Sequence, residues 1–155
     1  MRFDIRQAEG EKDIEEARAL FLEYQDSINV DLGYQDFADE VAELPGAYEA
    51  PRGRLLLATI DGAVCACIAL RPLNETTCEI KRLFVRPSHR GFGLGRTLVT
   101  RILEEAQEIG YAQVYLDTLP SMSQAAAIYV SFGFEEVPPY RFSPVPGTRF
   151  MAITF

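Results

Sequence analysis

The sequence predicts a single α/β domain spanning residues 1–155, with a mixed, mostly antiparallel sheet of about seven strands flanked by four helices. Three apolar runs separated by short turn signals predict an antiparallel meander of three strands. The last of these strands passes through a glycine-rich loop into an amphipathic helix, and another strand follows that helix. We expect the two strands of this strand–helix–strand unit to be parallel.

The first third of the chain predicts one strand and two helices. Phe3–Ala8 alternates as a strand does, and Glu11–Ser27 repeats its apolar residues at the helical period, with acidic residues near its start. A second, shorter helix is predicted over Tyr34–Leu44. Residues 45–53 contain two prolines and two glycines, which predicts a loop.

The meander follows that loop. Leu55–Ile60 and Ala63–Leu70 are apolar runs joined by Asp-Gly, which is a strong hairpin signal. The third strand, Cys78–Val85, carries charged residues on both of its alternating faces. Because neither face is cleanly apolar, this strand is expected to contain a bulge or to border an open cleft.

The second half of the chain predicts two helices and three strands. The helix that begins near Gly95 ends at Gly110, a residue type favoured at helix C-termini. The two terminal strands are expected to pair with each other across a proline-rich loop. The remaining predicted elements are the strand Tyr111–Asp117, the helix Pro120–Phe132, and the strands Phe134–Val137 and Thr148–Thr154.

The charge of the chain is strongly uneven. The net charge is −8, which argues against nucleic acid or an acidic membrane as a partner of the whole surface. Residues 1–50 carry four basic and fourteen acidic side chains, whereas Glu79–Arg101 carries six basic and one acidic. A basic segment within an acidic protein indicates a local binding site for an anion.

The three cysteines indicate a reducing environment. Their count is odd, and neither a signal peptide nor an apolar run of about 18 residues is visible, so we expect a cytoplasmic protein without a membrane span. Cys65 and Cys67 lie two apart in an apolar strand and are expected on one face. With a single histidine in the chain, they lack the ligands for zinc, and we expect no metal.

The loop after the third meander strand has the features of an anion site. Gly91, Gly93 and Gly95 lie where a strand gives way to a helix N-terminus, which presents unpaired N–H groups and the positive end of the helix dipole. Arg90 and Arg96 add positive charge, so the loop suits a phosphate or pyrophosphate. A P-loop would need Gly-Lys-Ser/Thr, and the dinucleotide fingerprint would need GxGxxG; neither is present.

Two segments together resemble the GCN5-related N-acetyltransferase (GNAT) family. The first is Arg-x-x-Gly-x-Gly, over residues 90–95, preceded by a strand ending in Leu-Phe-Val-Arg-Pro. The second is Ala-x-x-x-Tyr-x-x-x-Gly-Phe, over residues 125–134. The resemblance covers nearly the whole chain and implies the same order of strands and helices as the residues predict.

The resemblance implies a binding site for acetyl-CoA. Backbone amides of the loop would hold the pyrophosphate, Thr97 would add a hydroxyl, and the end of the third meander strand would pair with the pantetheine arm. The residues implied to bind the co-substrate are Leu83, Phe84, Val85, Arg90, Gly91, Phe92, Gly93, Leu94, Gly95, Arg96 and Thr97.

The resemblance also implies two catalytic residues. Tyr129 would protonate the departing CoA thiolate, and Glu79 would take a proton from the acceptor amine, either directly or through water. The alternative for Tyr129 is an ordinary core tyrosine, and the alternative for Glu79 is a salt bridge to Lys81 or Arg82. His89 lies in the pyrophosphate loop, far from the expected acetyl group. The sequence departs from the family at Met122, where many members have asparagine.

The acceptor pocket has four candidate residues. Tyr24, Tyr34, Arg82 and Tyr140 are substrate candidates by position only. Acidic residues near the pocket would suit an amine, whereas Arg82 or Arg141 would suit an acceptor that carries a carboxylate. The resemblance thus implies an N-acetyltransferase acting on a primary amine of a small molecule or peptide by direct attack in a ternary complex, in a fold that often forms homodimers. The alternative is a non-catalytic module that binds acyl-CoA as a sensor or partner domain.

Overall fold

The computed structural model describes residues 3–155, in which seven strands form one sheet and four α-helices flank it. The strands join in the order β1-β2-β3-β4-β5-β7-β6. The strands are β1 (Asp4–Gln7), β2 (Arg54–Ile60), β3 (Ala63–Pro72), β4 (Thr77–Val85), β5 (Gln113–Thr118), β6 (Glu135–Glu136) and β7 (Arg149–Thr154). The helices are α1 (Gly10–Ile28), α2 (Phe37–Ala42), α3 (Leu94–Ile109) and α4 (Ser123–Ser131).

The pairing of the strands confirms the predicted sheet. β2, β3 and β4 form the antiparallel meander, β6 pairs antiparallel with β7, and β4 pairs parallel with β5. The β4–β5 pairing extends only from Thr77 opposite Gln113 to Glu79 opposite Tyr115. Beyond Glu79 no residue of β4 pairs with β5, which leaves a gap between the two strands.

Each face of the sheet buries its own hydrophobic core. Leu56 and Ala58 of β2 point into a core that α3 and part of α4 cover. Leu55 and Leu57 of the same strand point into a second core, built with α1 and α2. This alternation is what a strand buried on both faces requires.

The expectation that Cys65 and Cys67 share one face is wrong. Ala58 pairs with Ala66 but Thr59 pairs with Val64, so Cys65 is an extra residue in β3. This bulge turns the Cys65 side chain into the core beneath α3, while Cys67 packs in the core beneath α1. All three cysteines are free and buried, and burial raises the pKa of the Cys67 and Cys78 thiols to about 12.

A second bulge lies in β4 and confirms the irregularity predicted there. The register with β3 shifts between the Cys67–Phe84 and Ala69–Lys81 pairs. Arg82 lies within this shift and adopts a left-handed backbone with φ of +62°. The bulge occurs where the gap between β4 and β5 opens, and it redirects the side chains on either side of it.

The predicted second helix is broken, and two other elements are shorter than expected. Over Tyr34–Leu44 the chain forms a 3₁₀ turn at Leu32–Gln35 and the short helix α2, separated by Asp36 with φ of +56°. A left-handed residue cannot continue a right-handed helix, so the single helix expected here is wrong. α4 begins three residues later than the predicted helix, and β6 has two residues. Among residues 3–155 no helix is both long enough and apolar enough to cross a membrane.

Candidate active site

A cavity of about 580 Å³ lies between α1, the end of β4, the glycine loop and the start of α4. The loop and α3 form one wall, and α1 and α4 form the others. The residues that line the cavity are Tyr24, Ser27, Ile28, Leu83, Phe84, Val85, His89, Arg90, Gly91, Gly93, Leu94, Gly95, Arg96, Ser121, Met122, Ser123, Gln124, Ala125 and Ile128.

The glycine loop presents a row of free N–H donors to this cavity. The first helical bond of α3 runs from the Thr97 N–H to the Gly93 carbonyl at 3.1 Å, and no side chain caps the helix. For the six N–H groups of residues 91–96, no acceptor is found in the described part of the chain. Unpaired donors at a helix N-terminus form a site for an anion.

Two of the loop glycines are required by the backbone. Gly91 and Gly93 have φ of +87° and +80°, a region that costs other residues about 1–2 kcal/mol. A Cβ atom on either would meet open space, so the constraint there is conformational and the space stays free for a ligand. Gly95 has a different role, because a Cβ atom there would lie 3.3 Å from the Ile128 side chain of α4.

The end of β4 offers backbone groups to the same cavity. Because the Arg86 N–H donates to the Cys65 carbonyl of β3 at 2.9 Å, alternation directs the N–H and carbonyl of Val85 away from β3 and into the gap. The Arg90 Nε donates to that Val85 carbonyl at 2.8 Å, and its guanidinium lies 5.7 Å from the Phe84 ring centre. The loop is thereby tied to the strand edge.

Of the residues predicted at the co-substrate site, two lie outside the cavity lining and a third makes a hydrogen bond to α4. Phe92 is 53% exposed and lies outside the cavity lining. The Thr97 hydroxyl donates to the Gly93 carbonyl at 3.0 Å and so stabilises the first turn of α3. Arg96 lines the cavity and donates from Nη1 to the Ser131 hydroxyl at 2.9 Å. Leu83 and the other predicted residues of β4 and the loop do line the cavity.

Two tyrosines approach the cavity from opposite helices. Tyr24 of α1 lines it and donates to the Met122 sulfur at 3.8 Å. Tyr129 of α4 is buried behind the lining, where its ring packs edge-on against Phe134 at 5.5 Å. Burial raises the pKa of Tyr24 to about 12, and burial, with Tyr24 and Asp117 nearby, raises the pKa of Tyr129 as well.

Glu79 is the centre of a buried polar cluster at the narrow end of the gap. Its carboxylate, which is fully buried, lies 2.9 Å from Arg71 Nε and 2.6 Å from Arg141 Nη2, and it accepts a hydrogen bond of 2.5 Å from the Tyr140 hydroxyl. Burial opposes the charged form, but the positive charges of Lys81, Arg71 and Arg141 outweigh it and lower the pKa of Glu79. The carboxylate is therefore held ionised.

Lys81 extends this cluster across the gap. Its Nζ donates to Gln35 Oε1 at 3.0 Å and lies 3.6 Å from Asp117 Oδ1 on β5. The side chain is almost fully buried, and burial together with the charge of Arg82 lowers the pKa of Lys81 to about 8. Gln35 also donates to the Tyr34 hydroxyl at 3.1 Å, so Tyr34 borders the cluster as well.

Arg82 points to a different partner. It makes two hydrogen bonds to the Glu40 carboxylate, at 2.9 and 3.0 Å, and its guanidinium stacks 5.0 Å from the Phe37 ring centre. With its charge paired and its side chain buried, Arg82 anchors α2 to the bulge in β4. The structure thus brings Tyr34, Tyr140 and Glu79 to one cluster and Tyr24 to the cavity. Arg82 lies between the two regions, 5.6 Å from the Tyr24 ring centre, with its charge paired to Glu40.

Several residues of both regions are not predicted as site residues by the sequence. The start of α4 contributes Ser121, Ser123 and Gln124 to the cavity, and the polar cluster includes Arg71, Lys81 and Asp117. For the polar cluster, the available signal was the presence of charged residues inside strands that are otherwise apolar. Among residues 3–155 no group of three or more His, Cys, Asp or Glu side chains is placed to bind a metal.

The gap between two parallel strands and the anion-binding loop beside it belong to an architecture that other proteins share. An uncharacterized N-acetyltransferase of Schizosaccharomyces pombe is 35% identical over 144 residues, which is 92% of this chain and 88% of the relative. A GNAT-family acetyltransferase from Staphylococcus aureus superposes with a TM-score of 0.82 at 21% identity, over 99% of both chains.

A third similar protein, an acetyltransferase structure from Salmonella typhimurium, was solved with its cofactor acetyl-CoA. It has a TM-score of 0.66 at 20% identity and covers 98% of this chain and 93% of its own. The model of the Acetyltransferase (GNAT) family matches residues 14–134 of the present chain. The chain therefore belongs to the GNAT family of acetyltransferases, which confirms the resemblance, the fold class and the class of enzyme predicted from the sequence.

Proposed function

We propose that this protein transfers an acetyl group from acetyl-CoA to a primary amine of a small molecule or peptide, with donor and acceptor bound at the same time. The observation that carries the proposal is the row of six N–H donors at the N-terminus of α3, beside a cavity that reaches the free edge of β4. In a similar structure the bound cofactor is acetyl-CoA.

The chain's own groups fit this co-substrate. A diphosphate needs several donors and positive charge, which the amides of residues 91–96 and the side chains of Arg90 and Arg96 supply. The N–H of Val85 faces the gap and offers a donor to an amide of a pantetheine arm, while the Val85 carbonyl already accepts from Arg90 Nε at 2.8 Å. When bound, acetyl-CoA would supply the thioester whose acetyl group passes to the amine nitrogen, with loss of the amine proton and release of a thiol.

We propose that Tyr129 supplies the proton for that thiol. Burial raises the pKa of its hydroxyl, which keeps Tyr129 protonated near neutral pH. Because a tyrosine with a raised pKa is a weak acid, the transfer requires that the departing sulfur be at least partly anionic. Tyr24, which lies nearby and lines the cavity, is the second tyrosine able to contact the sulfur.

Glu79 is proposed to position the cluster, and water is proposed to take the amine proton. A carboxylate whose pKa is lowered by two arginines and a lysine is a poor acceptor for the proton of an ammonium. Its contacts instead fix Arg71, Arg141 and Tyr140 at the narrow end of the gap. Holding donor and acceptor together across the gap would provide much of the rate. A cytoplasmic location and the oligomeric state stay predictions.

The test is thiol release from acetyl-CoA in the presence of a panel of amino acids, polyamines, aminoglycosides and peptides. Tyr129→Phe is expected to lower kcat by about 10²-fold while the Kd for coenzyme A changes by less than about twofold. Tyr111→Phe is the matched control, because the Tyr111 hydroxyl donates to the Arg52 carbonyl, outside the cavity. Tight coenzyme A binding without turnover on any amine would contradict the proposal and favour a sensor or partner module.

A further inference from the structure

The polar cluster around Glu79 carries more positive charge than its own residues neutralise. Arg71, Lys81 and Arg141 face the carboxylates of Glu79 and Asp117, which leaves one positive charge in excess. Arg82 does not change this balance, because Glu40 already neutralises it. A partly buried cluster with unbalanced charge is costly, and an anion that enters it reduces that cost.

The two arginines also have donors to spare. Arg71 uses Nε for Glu79, and Arg141 contacts Glu79 through Nη2 alone. For their other N–H groups no acceptor is found among residues 3–155. The side chains of Arg71 and Arg141 are 26% and 21% exposed, so both remain open to a ligand. A guanidinium with free donors in a fixed orientation is the group that proteins use to recognise carboxylates.

The cluster lies where the acceptor would have to bind. Glu79 is the last residue of β4 that pairs with β5, and the gap opens directly after it. Lys81 and Asp117 lie on opposite sides of that gap, and Tyr140, packed edge-on against Tyr115 at 5.3 Å, borders it. An acceptor held by Arg71 and Arg141 would therefore lie beside the gap into which the donor's thioester extends.

We propose that the acceptor is an amine that also carries a carboxylate, such as an α-amino acid, and that Arg71 and Arg141 bind this carboxylate with Glu79 as their positioning residue. This inference rests on the proposed function, since it names the class of acceptor for the same reaction. The sequence left Arg82 and Arg141 as alternatives for this contact. The pairing of Arg82 with Glu40 leaves Arg141, and it adds Arg71.

The first experiment compares each L-amino acid with its own carboxamide as the acceptor in the thiol-release assay. The free acid is expected to have a kcat/KM at least tenfold above that of the amide, and Arg141→Gln is expected to reduce this ratio to below about threefold. Arg141→Lys, which keeps the charge but loses the planar pair of donors, should give an intermediate ratio. Arg101→Gln is the control, because Arg101 lies on the exposed side of α3.

A second readout does not depend on turnover. The charged groups that face Lys81 are Glu79 and Arg82 on its own strand, Asp117 on β5, and Arg141 in the loop before β7. In the protein without coenzyme A, a carboxylate that binds this cluster would stabilise the charged form of Lys81. Adding the amino acid should therefore raise the NMR titration midpoint of Lys81, and adding the amide should leave it unchanged.

The outcomes separate the two proposals. Equal or better use of the amides by the wild-type protein would overturn the carboxylate site and leave the acetyltransferase proposal standing. If no amine is acetylated, the proposed function fails, and the Lys81 titration still decides whether a carboxylate binds the cluster. An unchanged Lys81 midpoint with every amino acid would then overturn the inference.

Discussion

Lys81 and Asp117 face each other across the gap between β4 and β5, with Nζ 3.6 Å from Oδ1. The two strands pair through Glu79 and Tyr115 and then separate, so this contact spans backbones that no longer share hydrogen bonds. An ammonium on one strand and a carboxylate on the other are thus held at the point where the proposed reactants would meet.

The pKa of Lys81 gives the first prediction. Selective ¹³C labelling of lysine should show a Lys81 signal that titrates near pH 8, because burial and the charge of Arg82 disfavour its charged form. The signal is assigned by its loss in Lys81→Met. A midpoint for Lys81 above 10 would contradict the geometry described for the cluster.

The same shift predicts a pH-dependent stability. The pKa of Lys81 is lower in the folded protein than in the unfolded chain. Below pH 8 the buried charge of Lys81 therefore destabilises the folded state, and this destabilisation is removed as the pH rises toward 10. Relative to Lys81→Met, the wild type should gain on the order of 2 kcal/mol of unfolding free energy over this range. Urea unfolding at several pH values measures it. The raised pKa values of the buried Cys67 and Cys78 thiols lower the stability as the pH rises. This effect is the same in the wild type and in Lys81→Met, so it cancels in the difference between the two proteins.

Glu79→Gln should destabilise the fold, and the loss should depend on pH. Removing the carboxylate leaves Arg71 and Arg141 without their shared partner, at a cost of roughly 3–5 kcal/mol at pH 7. Because the pKa of Glu79 is lowered in the folded state, its contribution is present above the unfolded value of 4.5 and is lost as the pH falls through the folded value. Urea unfolding at pH 7 and below pH 4 checks this. The exposed Glu75→Gln is the control, and an equal loss at both pH values would refute the assignment.

A double-mutant cycle tests the Arg82–Glu40 pair. Arg82→Gln alone should cost roughly 3 kcal/mol, because it leaves the mostly buried carboxylate of Glu40 without its cation. Adding Glu40→Gln should recover part of that loss, so the two changes together should cost less than their sum. Chemical unfolding of the four proteins gives the coupling energy. A coupling near zero would show that Arg82 is free for another partner.

Gly91→Ala and Gly110→Ala form a matched pair for the anion loop. Both glycines have a positive φ and open space around a Cβ atom, so each change should cost about 1–2 kcal/mol of stability. Gly91 lines the cavity, whereas Gly110 ends α3 at its far end. Only Gly91→Ala should weaken coenzyme A binding, by roughly tenfold, because the strained φ displaces one N–H donor from the diphosphate.

Isothermal titration of the two variants with coenzyme A measures this difference. Thermal unfolding of each free protein supplies the comparison of stability. Equal affinities for Gly91→Ala and the wild type would exclude the loop as the diphosphate site.

The local features of this protein follow from its sequence. Turn signals such as Asp61-Gly62, alternating or continuous apolar runs, and a glycine loop between a strand and a helix are properties of neighbouring residues, and each predicted element type and the loop's donors could be inferred from them. The family resemblance depends on the same local order. The one helix predicted in error, over Tyr34–Leu44, failed because Asp36 takes a left-handed backbone that periodicity does not reveal.

The tertiary structure alone decided which distant residues meet. Arg71, Glu79 and Arg141 lie on β3, on β4 and in the loop before β7, and only the strand order brings their charges together. Bulges decided which face of a strand a side chain lies on, because one extra residue moves the side chain to the other face, as it does for Cys65. Burial, the direction of each side chain and the pKa values that depend on them are consequences of packing between segments far apart in the chain, and no local pattern contains them.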